Sequence, residues 1–185
     1  MVKPLMPNDN HEATARRSRE FSRLVWAVPL VISIHNGEEA LTMPRWAAEH
    51  PMTVAQLFSV HISRVPTADE LYAALAMGTL MPILVALAAF LSGPRTLPLY
   101  LLAGIQGIML TNAFLPHLVG TIVLGQYTPG VITAVLVVIP FSVFWFRRIV
   151  KRGFAERRPL IVSVVVGALV YPLGLAVLYE ASGVW

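Results

Sequence analysis

Five apolar runs of roughly twenty residues divide the chain, and each is about as long as a helix crossing a bilayer's hydrocarbon core. They fall at Phe21–Leu41, Leu71–Leu91, Leu97–Leu124, Gly130–Phe146 and Leu160–Tyr179. Lipid offers a backbone no hydrogen-bond partners, so a segment this long and apolar must satisfy its own amides as a helix. Composition agrees: 56% of residues are hydrophobic and 13% charged, outside the range of soluble domains. The expected fold is all-α, a membrane bundle of five transmembrane helices. Residues 1–20 form a basic cytoplasmic tail and residues 21–185 a single transmembrane domain.

The basic residues set the expected orientation. Lys3, Arg16, Arg17, Arg19 and Arg23 precede or open the first run. Arg95 lies between the second and third runs, and Arg147, Arg148, Lys151, Arg152, Arg157 and Arg158 lie between the fourth and fifth. The alternate connections hold only Arg45 and Arg64. Cytoplasmic loops carry the Lys/Arg excess, so the N-terminus is expected in the cytoplasm, the C-terminus outside, and the protein in the cytoplasmic (cell) membrane. The high pI then reports topology rather than nucleic-acid binding. The absence of cysteine excludes disulfides, zinc–thiolate sites and thiol catalysis.

Local signals refine the connections. Thr67-Ala68-Asp69-Glu70 is a capping box that starts the second helix. Gln126-Tyr127-Thr128-Pro129-Gly130 reads as a tight outer turn. In the long first outer loop, Trp46–Ile62 mixes Trp46, Leu57, Phe58 and Val60 with polar residues and is expected to lie on the membrane interface. Pro29, Pro82, Pro116, Pro140 and Pro172 place one proline inside each run. Each removes a backbone bond. They are either the ordinary prolines of membrane helices or kinks that widen the bundle around a polar centre.

That centre is suggested by the first run, which carries His35-Asn36-Gly37-Glu38-Glu39. A carboxylate at a helix centre costs about 2.5–3.5 kcal/mol on insertion scales and normally faces a polar cavity or a partner. His35, Glu38 and Glu39 stand at i, i+3 and i+4, on one side of a helix. Imidazole with carboxylate is a donor set for divalent metals such as zinc or iron. At about 1.5 Å per residue, His35 lies ~20 Å from the cytoplasmic end of its run, and Asn112 and His117 lie ~22 and ~30 Å along the third. All reach the outer half of the membrane.

The expected site joins His35, Glu38, Glu39 and His117 as metal ligands, with Glu39 alternatively the general base for a bound water. Asn112 and His61 support it, and Glu180 is a further candidate. Plainer readings stand beside this: Asn112 as helix–helix glue, His117 bonded to a carbonyl, His50 and His61 as solvated loop residues, and Glu180 as an interfacial residue.

These residues resemble the HXXEE family of small bacterial integral membrane proteins. The likeness rests on His35-Asn36-Gly37-Glu38-Glu39 with Met43-Pro44-Arg45-Trp46, then Asn112 with His117, then Tyr127-Thr128-Pro129-Gly130 with Thr133. It implies the site but no activity. A looser similarity to intramembrane CAAX-type glutamate proteases fails in the position of Arg45 and in the Phe114/His117 spacing.

Three functions fit: a metal-binding membrane protein acting as an enzyme on a lipidic or small-molecule substrate, a proton- or cation-coupled transporter component, and a non-catalytic partner subunit. Membrane lipid is an expected partner, a homo-oligomer is compatible, and nucleic acid is not expected.

Overall fold

The computed structural model describes residues 7–50 and 67–181, with side chains for residues 11–50, 67–171 and 173. Every regular element among the described residues is helical. Five helices follow in order: α1 (Pro7–Glu49), α2 (Ala68–Ser92), α3 (Leu97–Leu124), α4 (Val131–Lys151) and α5 (Arg157–Ala181). Of these, α2, α3 and α4 are long and apolar enough to cross a membrane. The five expected runs thus give five helices, three of which meet that measure. The first falls short because His35, Asn36, Glu38 and Glu39 dilute its apolar run. Most side chains in the second half of the fifth lie outside the described residues.

The first helix is longer than its apolar run. Its 43 residues rise about 65 Å, roughly twice the hydrocarbon thickness. It takes in Arg16, Arg17 and Arg19 at one end and Trp46 at the other. The expected interfacial segment therefore begins as a continuation of α1, and the rest of it, with His61, lies outside the described residues.

A helix-spaced stripe on α1 forms the centre of the core. Phe21, Leu24, Val25, Val28, Val31 and Ile32 are buried there, at the three- and four-residue steps that keep side chains on one face. The same stripe continues into His35 and Glu39, which are also buried. Opposite it stand Ala134, Val138, Trp145 and Ile149 of α4 and Leu99, Leu102 and Met109 of α3. The Trp145 indole N–H donates to the Leu24 carbonyl at 2.7 Å, so this large ring brings no unpaired donor into the core.

Small residues set the contact between α3 and α5. A Cβ on Gly167 would sit 2.0 Å from the Gly104 carbonyl oxygen, and one on Gly107 would sit 2.3 Å from that of Val164. Backbones this close are the usual solution where apolar surface gives no advantage to one helix over lipid.

Both chain connections that the sequence marks are present. Thr67 caps α2, its hydroxyl accepting from the Glu70 amide while the Glu70 carboxylate accepts from the Thr67 amide. The α3–α4 turn is made by Gly125 and Gly130 at φ +63° and +86°, a region open to glycine without steric cost. Two prolines act on their helices: Pro116 lies in a π-helical stretch, Ala113–Val119, and Pro140 follows another, Ala134–Val138.

At the end remote from this turn, Glu20 accepts from Nε of Arg148 at 2.6 Å and of Arg152 at 2.8 Å, tying α1 to α4. Desolvation opposes ionisation of Glu20, but the hydrogen bonds and charges of Arg152 and Arg148 outweigh it and hold its pKa below the ordinary 4.5.

Two predictions follow from this packing. Gly107→Ala and Gly167→Ala should each destabilise by about 1–3 kcal/mol through overpacking against backbone, measured by thermal unfolding in detergent. Glu20 is more acidic folded than unfolded, so its contribution is present above pH 4.5 and lost as pH falls through its lower folded pKa. Unfolding curves of Glu20→Gln should therefore show a weaker loss of stability than wild type on acidification below that point.

Candidate metal centre

The π-helical stretch explains how Asn112 and His117 share a site. On a regular α-helix, residues five apart point about 140° away from each other. Pro116 supplies no N–H to the Asn112 carbonyl four residues back, and the chain from Ala113 to Val119 widens to a turn that closes over five residues. Asn112 Nδ2 then stands 3.0 Å from His117 Nε2. Thr128, in the following turn, donates to the His117 carbonyl at 2.9 Å and is itself 2.6 Å from the Thr121 hydroxyl. These bonds hold the widened segment against the turn.

From α1, His35 and Glu39 project into the same place one turn apart. His35 Nε2 lies 3.2 Å from Asn112 Nδ2 and 3.9 Å from Glu39 Oε1, and His117 Nε2 lies 3.3 Å from that oxygen. The two imidazoles meet edge to face with centroids 4.9 Å apart. Ligand atoms of His35, Glu39 and His117 all fall within 4.8 Å of one another, and all three residues are buried. Both rings rest against Gly130: a Cβ there would stand 2.7 Å from His117 Cε1 and 3.0 Å from His35 Cε1.

Glu38 stands apart from this group. Its carboxylate accepts from the Thr133 hydroxyl at 2.6 Å, the Thr133 amide at 2.7 Å, the Ile132 amide at 3.3 Å and the Tyr127 hydroxyl at 2.8 Å. Thr133 and Ile132 are in the first turn of α4, whose N-cap Gly130 has no side chain to offer. Glu38 thus caps α4 from another helix, at the positive end of its dipole.

This capping also orients His35. Its Nδ1 lies 2.8 Å from Thr133 Oγ1. The Thr133 hydroxyl has one proton, and the carboxylate is its nearest and strongest acceptor, so His35 Nδ1–H donates to it. Nε2 is left with a lone pair aimed at Glu39 and His117. A metal-ligating histidine commonly has its other nitrogen anchored on a carboxylate or carbonyl in this way. The Asn112 amide agrees: the Tyr171 hydroxyl donates to its Oδ1, which turns its N–H groups toward both Nε2 atoms.

Asn36 of the motif and the loop residue His50 lie elsewhere. Asn36 faces α2, donating to Thr79 Oγ1 at 2.8 Å, and His50 packs on Trp46. His61 is outside the described residues, and so is the Glu180 side chain. Thr133, Tyr127 and Tyr171 join the site without having been singled out as site residues. Thr133 and Tyr127 belong to the motif after the third apolar run. Tyr171 carries no local signal beyond the proline that follows it.

A model of the family described as "Protein of unknown function with HXXEE motif" matches residues 26–145, well over half of the chain. The chain belongs to the HXXEE family. His35, Glu38 and Glu39 are the residues that give that motif its letters. The "Uncharacterized protein YrkK" of Bacillus subtilis (strain 168) is similar, 27% identical over 143 residues, covering 77% of this chain and 85% of that protein. No solved structure matches. The matched HXXEE region takes in His35, Glu39, Asn112, His117, Gly130 and Thr133, so the whole geometry above except Tyr171 falls within it.

Gly130 and Gly37 offer a contrast within this region. Gly130→Ala should cost about 1–3 kcal/mol, from overpacking against two rings and a left-handed φ. Gly37 has nothing within 4 Å of a Cβ, so Gly37→Ala should be neutral or stabilise by up to about 1 kcal/mol. Thermal unfolding of the two variants in the same detergent checks both.

Proposed function

We propose that this HXXEE protein is an integral membrane protein carrying a divalent-metal centre held by His35, Glu39 and His117 near the outer membrane face. The observation that carries the reading is electrostatic. Two imidazole nitrogens and a carboxylate oxygen converge in a buried place, where the Asn112 amide meets both nitrogens and the carboxylate charge favours a cation among them. Distances of 3.3 and 3.9 Å from Glu39 Oε1 compare with roughly 3.3 Å between ligands around a tetrahedral ion with bonds near 2 Å. Two histidines and one carboxylate suit zinc and iron(II) alike. Asn112 is the neighbouring polar group, its N–H groups turned toward both Nε2 atoms. Glu38 and Thr133 serve as positioning residues for His35.

Three protein ligands leave a coordination position open, as in catalytic rather than structural sites. That favours a centre acting on a lipidic or membrane-delivered substrate. Its chemistry when metal is bound is that of a Lewis acid or an activated water.

Membrane insertion is supported by three helices of spanning length and hydropathy and by outward-facing Leu80, Leu84, Leu87 and Leu91 on α2 and Ile122 and Val123 on α3. In this reading the chain crosses five times, with the basic tail, Arg95 and the α4–α5 connection on the cytoplasmic side. Contacts of Glu20 with Arg148 and Arg152, and of Arg95 with Phe154, agree with these segments sharing one end.

Protein purified in detergent should contain about one zinc or iron per chain, measured by elemental analysis. His35→Ala and His117→Ala should each lose it, and Glu38→Gln should weaken retention without abolishing it. Wild-type protein without stoichiometric metal, or unchanged content in both histidine variants, would overturn the proposal.

A further inference from the structure

At the end of the bundle opposite the metal centre, cations converge and outnumber the carboxylates, of which Glu12 pairs with Arg16 and Glu20 with Arg148 and Arg152. A cavity of about 420 Å³ is lined by Arg16, Arg17, Glu20, Lys151 and Arg152 together with Ala13. Glu20 is its one acid, and it already bonds Arg148 and Arg152. Arg152 spends only Nε on that bond, which leaves both Nη groups for another acceptor. Among the described residues, no carboxylate pairs with Arg17, Arg95, Arg147 or Lys151.

The fold holds these charges in place rather than letting them disperse. The Arg17 guanidinium lies 5.3 Å over the ring of buried Phe154. That ring packs on Phe21 at 5.2 Å. The Arg95 amide donates to the Phe154 carbonyl at 2.8 Å, and Arg95 keeps a left-handed φ of +58°, a conformation uncommon and costly for a residue with a side chain. Nη2 of Arg95 and Nη2 of Arg17 then stand 3.6 and 3.8 Å from the point where a Gly153 Cβ would be. Topology asks only that basic residues be on this side of the membrane. It does not ask for guanidinium groups to be drawn together.

A second cavity, 560 Å³, adjoins at Lys151, which lines both. Its walls are apolar along α4, at Pro140, Val143 and Phe144, and basic at the end, at Arg147, Arg148 and Lys151. Val143 and Phe144 face outward. An apolar groove that runs into a cluster of cations with a single carboxylate, Glu20, between them matches an amphiphile with an acyl chain and an anionic head.

From this juxtaposition we infer a binding site for an anionic phospholipid, its phosphate held by Arg17, Lys151 and Arg152 and an acyl chain lying along Val143 and Phe144. Guanidinium groups offer paired donors to phosphate oxygens, and basic pockets between membrane helices on the cytoplasmic side suit such headgroups. The inference rests on the membrane reading above and is independent of the metal.

Full-length protein in detergent is titrated with phosphatidylglycerol, with phosphatidylcholine and with inorganic phosphate, and thermal unfolding is followed. Phosphatidylglycerol should raise the unfolding temperature with saturable dependence, and the other two should not. Arg17→Gln with Lys151→Gln should weaken apparent phosphatidylglycerol affinity about tenfold or more, whereas Arg19→Gln, an exposed residue outside the cavity, should leave it unchanged. Arg17→Lys with Lys151→Arg, which keeps both charges, should retain most of the affinity and so separates lost binding from misfolding. Equal shifts with both lipids, or none, would overturn the site. A shift with inorganic phosphate alone would overturn the lipid and leave a soluble anion as the ligand. Failure of the membrane reading itself would show separately, as protein recovered from cells without detergent.

Discussion

The bond on which the bundle's polar half depends is the one between Glu38 and the first turn of α4. A carboxylate in an apolar helix is a liability, and so is a helix N-terminus whose amides have no cap. Here each answers the other. Glu38 receives two backbone amides, the Thr133 hydroxyl and the Tyr127 hydroxyl, while α4 gains the side-chain cap that Gly130 does not provide. Gly130 is free to be glycine, and its bare Cα is what allows the two imidazoles to lie against the turn. Capping, turn and ring placement are thus one arrangement rather than three.

That arrangement separates two adjacent carboxylates into different tasks. Successive residues on a helix point about 100° apart. Glu39 follows the buried stripe of α1 toward His35 and His117, and Glu38 turns aside to α4. The negative charge of Glu38 is spent on four donors. The charge of Glu39 faces the two imidazole nitrogens, and these three residues make the group that could hold a metal ion. Thr133 links the two by accepting from His35 and donating to Glu38, so the carboxylate outside the metal group still decides which nitrogen of His35 faces it.

The five helices could be read from the sequence because apolar runs of spanning length leave little choice of backbone structure. The cap at Thr67 and the turn at Gly130 could be read because their chemistry is local. Convergence of His35 with Asn112 was legible from depth, since similar rises along two helices running the same way bring residues to similar heights, and His117, a further turn and a half along, was expected in the same half. What depth did not convey was direction. Placing Glu38 beside His35 and Glu39 as an equal ligand treated i+3 and i+4 as one face, and only the position of α4 separates them. The parts played by Thr133 and Tyr171 depend on tertiary contacts with no local trace. The reach of α1 beyond its apolar run was hidden because a charged, polar extension reads as a tail.

Proline at 116 shows how a local defect becomes useful. An unbroken α-helix would carry His117 to the side of α3 away from Asn112, and a shared site would need a further helix. The missing amide makes the regular ladder impossible at that point, and the wider turn that replaces it costs less than it otherwise would. Thr128 then bonds the His117 carbonyl, giving the loosened segment a fixed partner outside the helix. The result is two donors, five residues apart on one helix, aimed at a pair four residues apart on another. Metal binding would reward that geometry directly, because each residue already held in place is entropy that binding need not remove.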